Sequence, residues 1–314
     1  MACWNGQRSG KDGQLKTDNR KFIVVNAFAD VVFGGNPAAV FPNASGLDAT
    51  KMKALARQLN LVETVFVLPA ENAEADFQLR YFTPQGEIPV AGHPTIAAWL
   101  ALLQQGIVDA KERTSYTQVN QAGVQQIEID CQNGSSPIVT MKQPPPRFLD
   151  TEVSVQQVAD IFSISVNDIV PDLPIQAVDT GLGHLIVPLK SLDALMRAKR
   201  NIEPLRSLCQ SLKIREAQLF CFETIDKTSD LHTRNICPRE GLEDPACGVG
   251  SGALASYLSK FHWPNRPEIK LKMEQGNIVH MPSIIHTRTI KEGDSIEIFV
   301  GGAGIVMLEG NFLI

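Results

Sequence analysis

Tyr81-Phe82-Thr83-Pro84 runs through a short loop into Ala91-Gly92-His93-Pro94-Thr95 and an apolar helix, and Asn235-Ile236-Cys237-Pro238 runs in the same way into Ala246-Cys247-Gly248-Val249-Gly250-Ser251 and another. The match continues upstream. Leu55 to Val67 lies over Leu208 to Phe220, which aligns Glu63 with Glu216 at an offset of 153. Gly35-Asn36-Pro37 before Ala38 to Phe41, and Gly183-His184 before Leu185 to Leu189, read as a third pair at an offset of 148. The chain is therefore two related halves. If they face each other, two glycine-rich helix starts lie across one cleft, an arrangement suited to holding a small anion.

Working outward, Phe22 to Phe28 and Ala38 to Phe41 read as strands, and Asp48 to Leu59 as a helix capped by Asp48. Glu63 falls where that helix has ended and the strand Thr64 to Leu68 begins, and Phe77 to Phe82 alternates as a half-buried strand does. Pro94 suits a first helical turn, and Thr95 to Leu103 is apolar on every side, so the helix must be buried all round. The order returns with a helix over Asn201 to Leu212, strands over Gln218 to Phe222 and Leu231 to Ile236, and a second apolar helix over Gly252 to Leu258. Only a surrounding sheet covers an apolar helix completely. The fold class expected is thus α+β, with two pseudo-symmetric domains, each a curved, mostly antiparallel, barrel-like sheet wrapped round a central helix.

The proline run Gln143-Pro144-Pro145-Pro146-Arg147 marks the connection between halves. Residues 21–143 form the first domain and 147–302 the second, with a last strand at about 303–314 crossing back to complete the first. Gly293-Asp294 and Gly301-Gly302 read as turns in a strand-rich tail, and residues 1–20, polar and without an apolar core, as a disordered extension rather than a secretory signal.

A chain of 314 residues suits two cores of about 150 residues each. With 44% hydrophobic residues, 20% charged and a net charge of -5, the composition is that of a water-soluble protein. No Lys/Arg stripe is present, so no nucleic-acid partner is expected. No apolar run approaches the ~20 residues that span a bilayer, so no membrane is expected either. Six cysteines without a C-x-x-C pair argue against a zinc ribbon or a dithiol centre, and point to a reduced, cytoplasmic protein. With no metal-ligand spacing and no dinucleotide fingerprint, neither metal nor organic cofactor is expected.

Three residues could do acid–base chemistry. His93 stands at the amino end of a buried helix, where free N–H groups and the helix dipole favour a carboxylate, although a histidine there can also serve only as a cap. Glu63, among apolar neighbours, has the setting that raises a carboxyl pKa toward that of a general base, yet an exposed strand-edge glutamate would look the same. Asp244 can orient an imidazole or a substrate amine, or merely begin the turn at Pro245. Asn36, Gly92 and Thr95 in the first half, and Cys247, Gly248 and Val249 in the second, are the candidate binding residues at the helix starts. Cys247 is either a thiol of lowered pKa at a helix start or small packing.

From about Lys21 to the carboxyl terminus the chain strongly resembles the PhzF family of phenazine-biosynthesis-type isomerases, which share the fold of diaminopimelate epimerase. The resemblance rests on Asn26-Ala27-Phe28, Gly35-Asn36-Pro37-Ala38, Asn60-Leu61-Val62-Glu63-Thr64-Val65-Phe66, Ala91-Gly92-His93-Pro94-Thr95 and Glu243-Asp244-Pro245-Ala246. It implies an active site between the domains, a homodimer, and cofactor-free isomerisation of a small carboxylate in which Glu63 shuttles a proton while His93 and Asp244 assist. Two departures stand out. Val249 replaces a serine that meets substrate in the family, and Cys247 resembles the second catalytic cysteine of amino-acid epimerases, whose first would fall at Ala91. An epimerase, or a binding protein that has lost the reaction, are the rival readings.

Overall fold

In the computed structural model, which describes residues 19–71, 73–131 and 136–314, the repeat returns as a repeat of strand pairings. The first half comprises β1 (Asn19–Ala27), β2 (Asn36–Phe41), α1 (Ala49–Leu59), β3 (Glu63–Pro69), β4 (Phe77–Thr83), β5 (Gly86–Ile88), α2 (His93–Gln104), β6 (Ser115–Asn120), β7 (Gly123–Asp130) and β8 (Ile138–Gln143). Here β1 pairs antiparallel with β2, β2 runs parallel to β3, and β3 pairs antiparallel with β4. Strand β4 turns back into β5 and runs parallel to β6, and β6 to β8 form a meander.

After the short β9 (Arg147–Phe148) and α3 (Val155–Phe162), the second half comprises β10 (Gln176–Asp179), β11 (Gly183–Pro188), α4 (Leu192–Arg197), α5 (Ile202–Ser211), β12 (Glu216–Cys221), β13 (Leu231–Cys237), β14 (Leu242–Asp244), α6 (Gly248–Phe261), β15 (Glu268–Gln275), β16 (Ser283–Glu292) and β17 (Ser295–Gly302). Its pairings repeat those of the first half in the same order and sense. The halves then exchange strands. Three prolines without N–H groups end β8 and lead to β9, which pairs with β10, while β18 (Gly304–Leu313) returns from β17 to pair with β1. Strands β8 and β17 pair antiparallel and join the two sheets.

Each half closes round one helix. Ten of the twelve residues of α2 are buried, against β1, β2, β3, β8 and β18, and α6 lies against β10, β11, β12, β15, β16 and β17. Trp99, Gln118 and Tyr81 pair their polar atoms inside the first core: Trp99 Nε1 donates to Gln118 Oε1 (2.7 Å), and Gln118 Nε2 donates to the Tyr81 hydroxyl (3.0 Å). Outside the first sheet, α1 is capped by Asp48, which accepts from Lys51 N (2.8 Å), and ends at Asn60 in the left-handed region (φ 52°). That reversal brings the chain onto the sheet three residues later, at Glu63. Among the described residues no helix is long and apolar enough to cross a membrane.

Two expectations need correction. Asn19 and Arg20, assigned to the extension, are the first residues of β1, held by pairing with Leu313 and Phe312; residues 1–18 lie outside the described residues. Gly301 and Gly302 are not a turn but the end of β17, and they are glycine because the neighbours leave no room for a Cβ. A Cβ on Gly301 would lie 2.5 Å from the Val139 carbonyl oxygen and 2.8 Å from Thr140 Cα, and one on Gly302 2.6 Å from the Phe28 ring. Gly301→Ala should therefore force β8 and β17 apart and destabilise the protein by about 1–3 kcal/mol, the usual range for overpacking. Thermal or urea unfolding measures this, and a melting temperature equal to the parent's would show that the seam is loose.

Candidate active site

Four residues converge from separate elements. Glu63 opens β3 in register with Ala38 of β2, and its Oε2 lies 3.5 Å from Nδ1 of His93, the first residue of α2. Asp244 ends β14 on the other half, where its Oδ1 accepts from the Ala246 N–H (2.9 Å) and, across the chain, from Nδ2 of Asn36 (2.8 Å). The same Asn36 amide also donates to the Ala246 carbonyl (3.2 Å). Asn36 thereby ties the first half to the start of α6.

The electrostatics separate the roles. Burial, and then the charges of Asp244 and Glu216, push the Glu63 carboxyl up to about 8, against a weaker opposing pull from Arg215. Burial pushes Asp244 up to about 7, with the charge of Glu216 adding to it and the Ala246 N–H and His184 opposing. His93 is driven the other way, down to about 3, because burial disfavours the imidazolium. Near neutral pH the site thus holds a neutral imidazole beside a carboxyl able both to accept and to return a proton.

The two helix starts face each other. Gly92 caps α2, and a Cβ placed on it would lie 3.8 Å from Val249 Cγ2 in the first turn of α6. Cys247 caps α6, its Sγ accepting from Gly250 N (3.3 Å), and a Cβ on Gly248 would meet the Phe28 ring at 3.3 Å. Thr95 is different. Its hydroxyl donates to the Ala91 carbonyl (2.7 Å) and lies 2.6 Å from the Tyr81 hydroxyl, so this side chain anchors α2 in the core instead of facing a ligand.

The repeat partner of Glu63 has the opposite character. Burial works against ionisation of Glu216 too, but His184 Nε2, 3.0 Å from its Oε2, holds this carboxyl below its ordinary value by hydrogen bond and charge. The residue in register with Glu216 is His184, whereas the residue in register with Glu63 is Ala38, which carries no charge. Histidine in one repeat and alanine in the other thus separate a glutamate fixed as an anion from one poised to move a proton. Cys247 Sγ lies 3.6 Å from His184 Nε2 and 3.8 Å from Glu216 Oε2. Its thiol is pushed well above the usual value, by burial first and then by the charges of Glu216 and Asp244. The lowered-pKa reading of Cys247 is therefore wrong: the helix start is outweighed by burial and like charge.

In the sequence His184 stands out only as part of the repeat, and Glu216 shows no obvious chemistry. The one available signal is that the run His184 to Leu189 begins with a histidine where its counterpart before Phe41 has no titratable side chain.

A family model described as phenazine biosynthesis-like protein (PhzC-PhzF) matches residues 25–310. An uncharacterized isomerase of Bacillus subtilis, YfhB, is 30% identical over 281 residues, covering 89% of this chain and 94% of that protein. The trans-2,3-dihydro-3-hydroxyanthranilate isomerase of Pseudomonas chlororaphis is 29% identical over 295 residues, covering 93% and 99%. The crystal structure of a PhzF-family phenazine biosynthesis protein from Bacillus anthracis superposes with a TM-score of 0.87 at 29% identity, covering 95% of this chain and all of that one. Sequence, topology and relatives agree that the chain belongs to the phenazine biosynthesis-like, PhzF family and is an isomerase.

Proposed function

We propose that the protein is a cofactor-independent isomerase that moves a proton, and with it a double bond, on a small carboxylate-bearing metabolite bound between the two helix starts. The observation that carries this reading is Glu63, a mostly covered carboxyl whose side chain is 18% exposed, with its pKa raised to about 8, lying 3.5 Å from His93 at the mouth of α2. A single carboxyl so poised takes a proton from one carbon and returns it to another on the same face of the substrate. His93, kept neutral, assists by hydrogen bonding, and Asp244, held by Asn36 and the Ala246 N–H, binds or orients the substrate. The helix starts at Gly92 in one half and Gly248 in the other suit its carboxylate.

The Pseudomonas chlororaphis relative acts, by its name, on trans-2,3-dihydro-3-hydroxyanthranilate. A substrate of the same broad class, an unsaturated carboxylic acid with an exchangeable C–H bond, fits the acid–base set here. Val249 presents an isopropyl group where that family's serine would offer a hydroxyl, so a less polar substituent is expected at that point. Assay of this chain on trans-2,3-dihydro-3-hydroxyanthranilate, beside a panel of analogues lacking the hydroxyl or the amine, tests the assignment. Turnover of none of them, with no substrate found in a metabolite pool, would overturn it.

A second reading has one observation in its favour: Cys247 is a protonated thiol in the same cleft, and so could return a proton to the opposite face after Glu63 removes one. Substitution separates the two. For a one-face shuttle, Cys247→Ala should lose less than the ~10²-fold that marks the loss of a general acid–base group. For a two-base epimerase it should lose as much as Glu63→Gln, and product chirality would show inversion. The steady-state rates of the two variants on one substrate decide.

A further inference from the structure

His184, Glu216 and Cys247 come from three segments, β11, β12 and the start of α6, and all three are buried. Their three potential ligand atoms form a small triangle: Nε2 to Oε2 3.0 Å, Sγ to Nε2 3.6 Å and Sγ to Oε2 3.8 Å. Around a tetrahedral zinc ion, with bonds of about 2.3 Å to sulfur and about 2.0–2.1 Å to nitrogen and oxygen, adjacent ligand atoms are about 3.3–3.6 Å apart. No edge of the observed triangle departs from that range by more than about 0.3 Å. We infer that His184, Glu216 and Cys247 form a binding site for one soft divalent cation of the zinc class, distinct from the Glu63, His93 and Asp244 group and not required by it.

Three further features support the assignment. His184 Nδ1 lies 2.8 Å from the Leu182 carbonyl, to which it must donate, and a metal-binding histidine characteristically donates its other nitrogen in this way, which leaves Nε2 to face the ion. The Gly250 N–H already points at the sulfur and would stabilise a thiolate there. The charge balance is also favourable. The Glu216 carboxylate and a thiolate at Cys247 would set two negative charges against the two positive charges of the ion, which lowers the penalty for burying it.

The ligand types select the ion. Thiol, imidazole and carboxylate together suit zinc or cobalt(II), whereas magnesium and calcium require oxygen ligands. Three protein ligands leave a fourth position open, and Cys247 places it at the amino end of α6, where the proposed substrate carboxylate also binds. An occupied site would therefore restrain the second helix start.

Cobalt(II) tests this without any substrate, so the result stands apart from the isomerase assignment. The full chain carrying Cys3→Ser and Cys131→Ser is stripped with a chelator and titrated with cobalt(II) chloride under anaerobic conditions. The expected result is one equivalent bound, with a thiolate-to-cobalt charge-transfer band and intense visible bands of a tetrahedral site, lost on adding zinc but not magnesium. Adding Cys247→Ser should abolish the charge-transfer band. His184→Asn, which removes the ring nitrogen but keeps a polar side chain, should weaken binding by at least about 100-fold, beyond the effect of most outer-shell changes, with an unchanged circular dichroism spectrum. No saturable binding, or bands that survive in both variants, would overturn the proposal. If Cys247→Ser fails to fold, His184→Asn alone decides.

Discussion

Glu63→Gln is expected to lower turnover by about 10⁴-fold, the upper end of what a general acid–base group contributes, while binding of a carboxylate ligand changes little. The amide preserves the shape beside His93 but cannot take a proton. The same substitution should make the protein more stable at alkaline pH, and the sign follows from the raised pKa. Below the ordinary value of 4.5 the carboxyl is neutral whether folded or unfolded; as pH rises toward about 8 the unfolded chain ionises freely and the folded one resists, so the parent progressively loses stability. Glutamine is neutral throughout. The difference in melting temperature between variant and parent should therefore grow from about pH 4.5 to about pH 8 and then level off. A difference independent of pH would mean that Glu63 ionises freely in the folded protein.

Asp244→Asn should reduce the rate by about 10²-fold or more and also change its pH dependence. The asparagine side-chain oxygen can still accept from Asn36 and Ala246, so the fold should survive. What is removed is a negative charge that helps to hold Glu63 up. In the parent, kcat/KM should rise about tenfold per pH unit and flatten above about 8, where the base is ionised. In Asp244→Asn that limb should move to lower pH, because Glu63 ionises more readily without a like charge nearby. A limb that stays in place would show that burial alone sets the Glu63 value.

The internal repeat made most of the architecture legible before any coordinates. Apolar faces on all sides of Thr95 to Leu103 and of Gly252 to Leu258 required sheets round both helices, and the pairing order confirms them. What failed to show were features that depend on distant neighbours. Gly301 and Gly302 looked like a turn because a glycine pair carries no record of the Thr140 and Phe28 atoms that exclude a side chain. The contrast between Glu63 and Glu216 was invisible for the same reason: each follows a similar helix, and only the strand neighbour in register, Ala38 or His184, separates them. The cluster at Cys247 joins residues 32 and 31 positions apart, far from any ligand spacing that a sequence motif displays. Thr95 looked like part of a ligand-facing helix start, but the first turn rotates its hydroxyl toward Tyr81 and the core.

The most direct test of the account is carbon-bound deuterium uptake in heavy water, followed by mass spectrometry and NMR on a substrate that the parent turns over. The parent should incorporate deuterium at the carbon that gains the proton, and Glu63→Gln, folded and still binding ligand, should incorporate none above background. Uptake by Glu63→Gln at close to the parental rate would contradict the central claim, because the proton would then be moved by some other group.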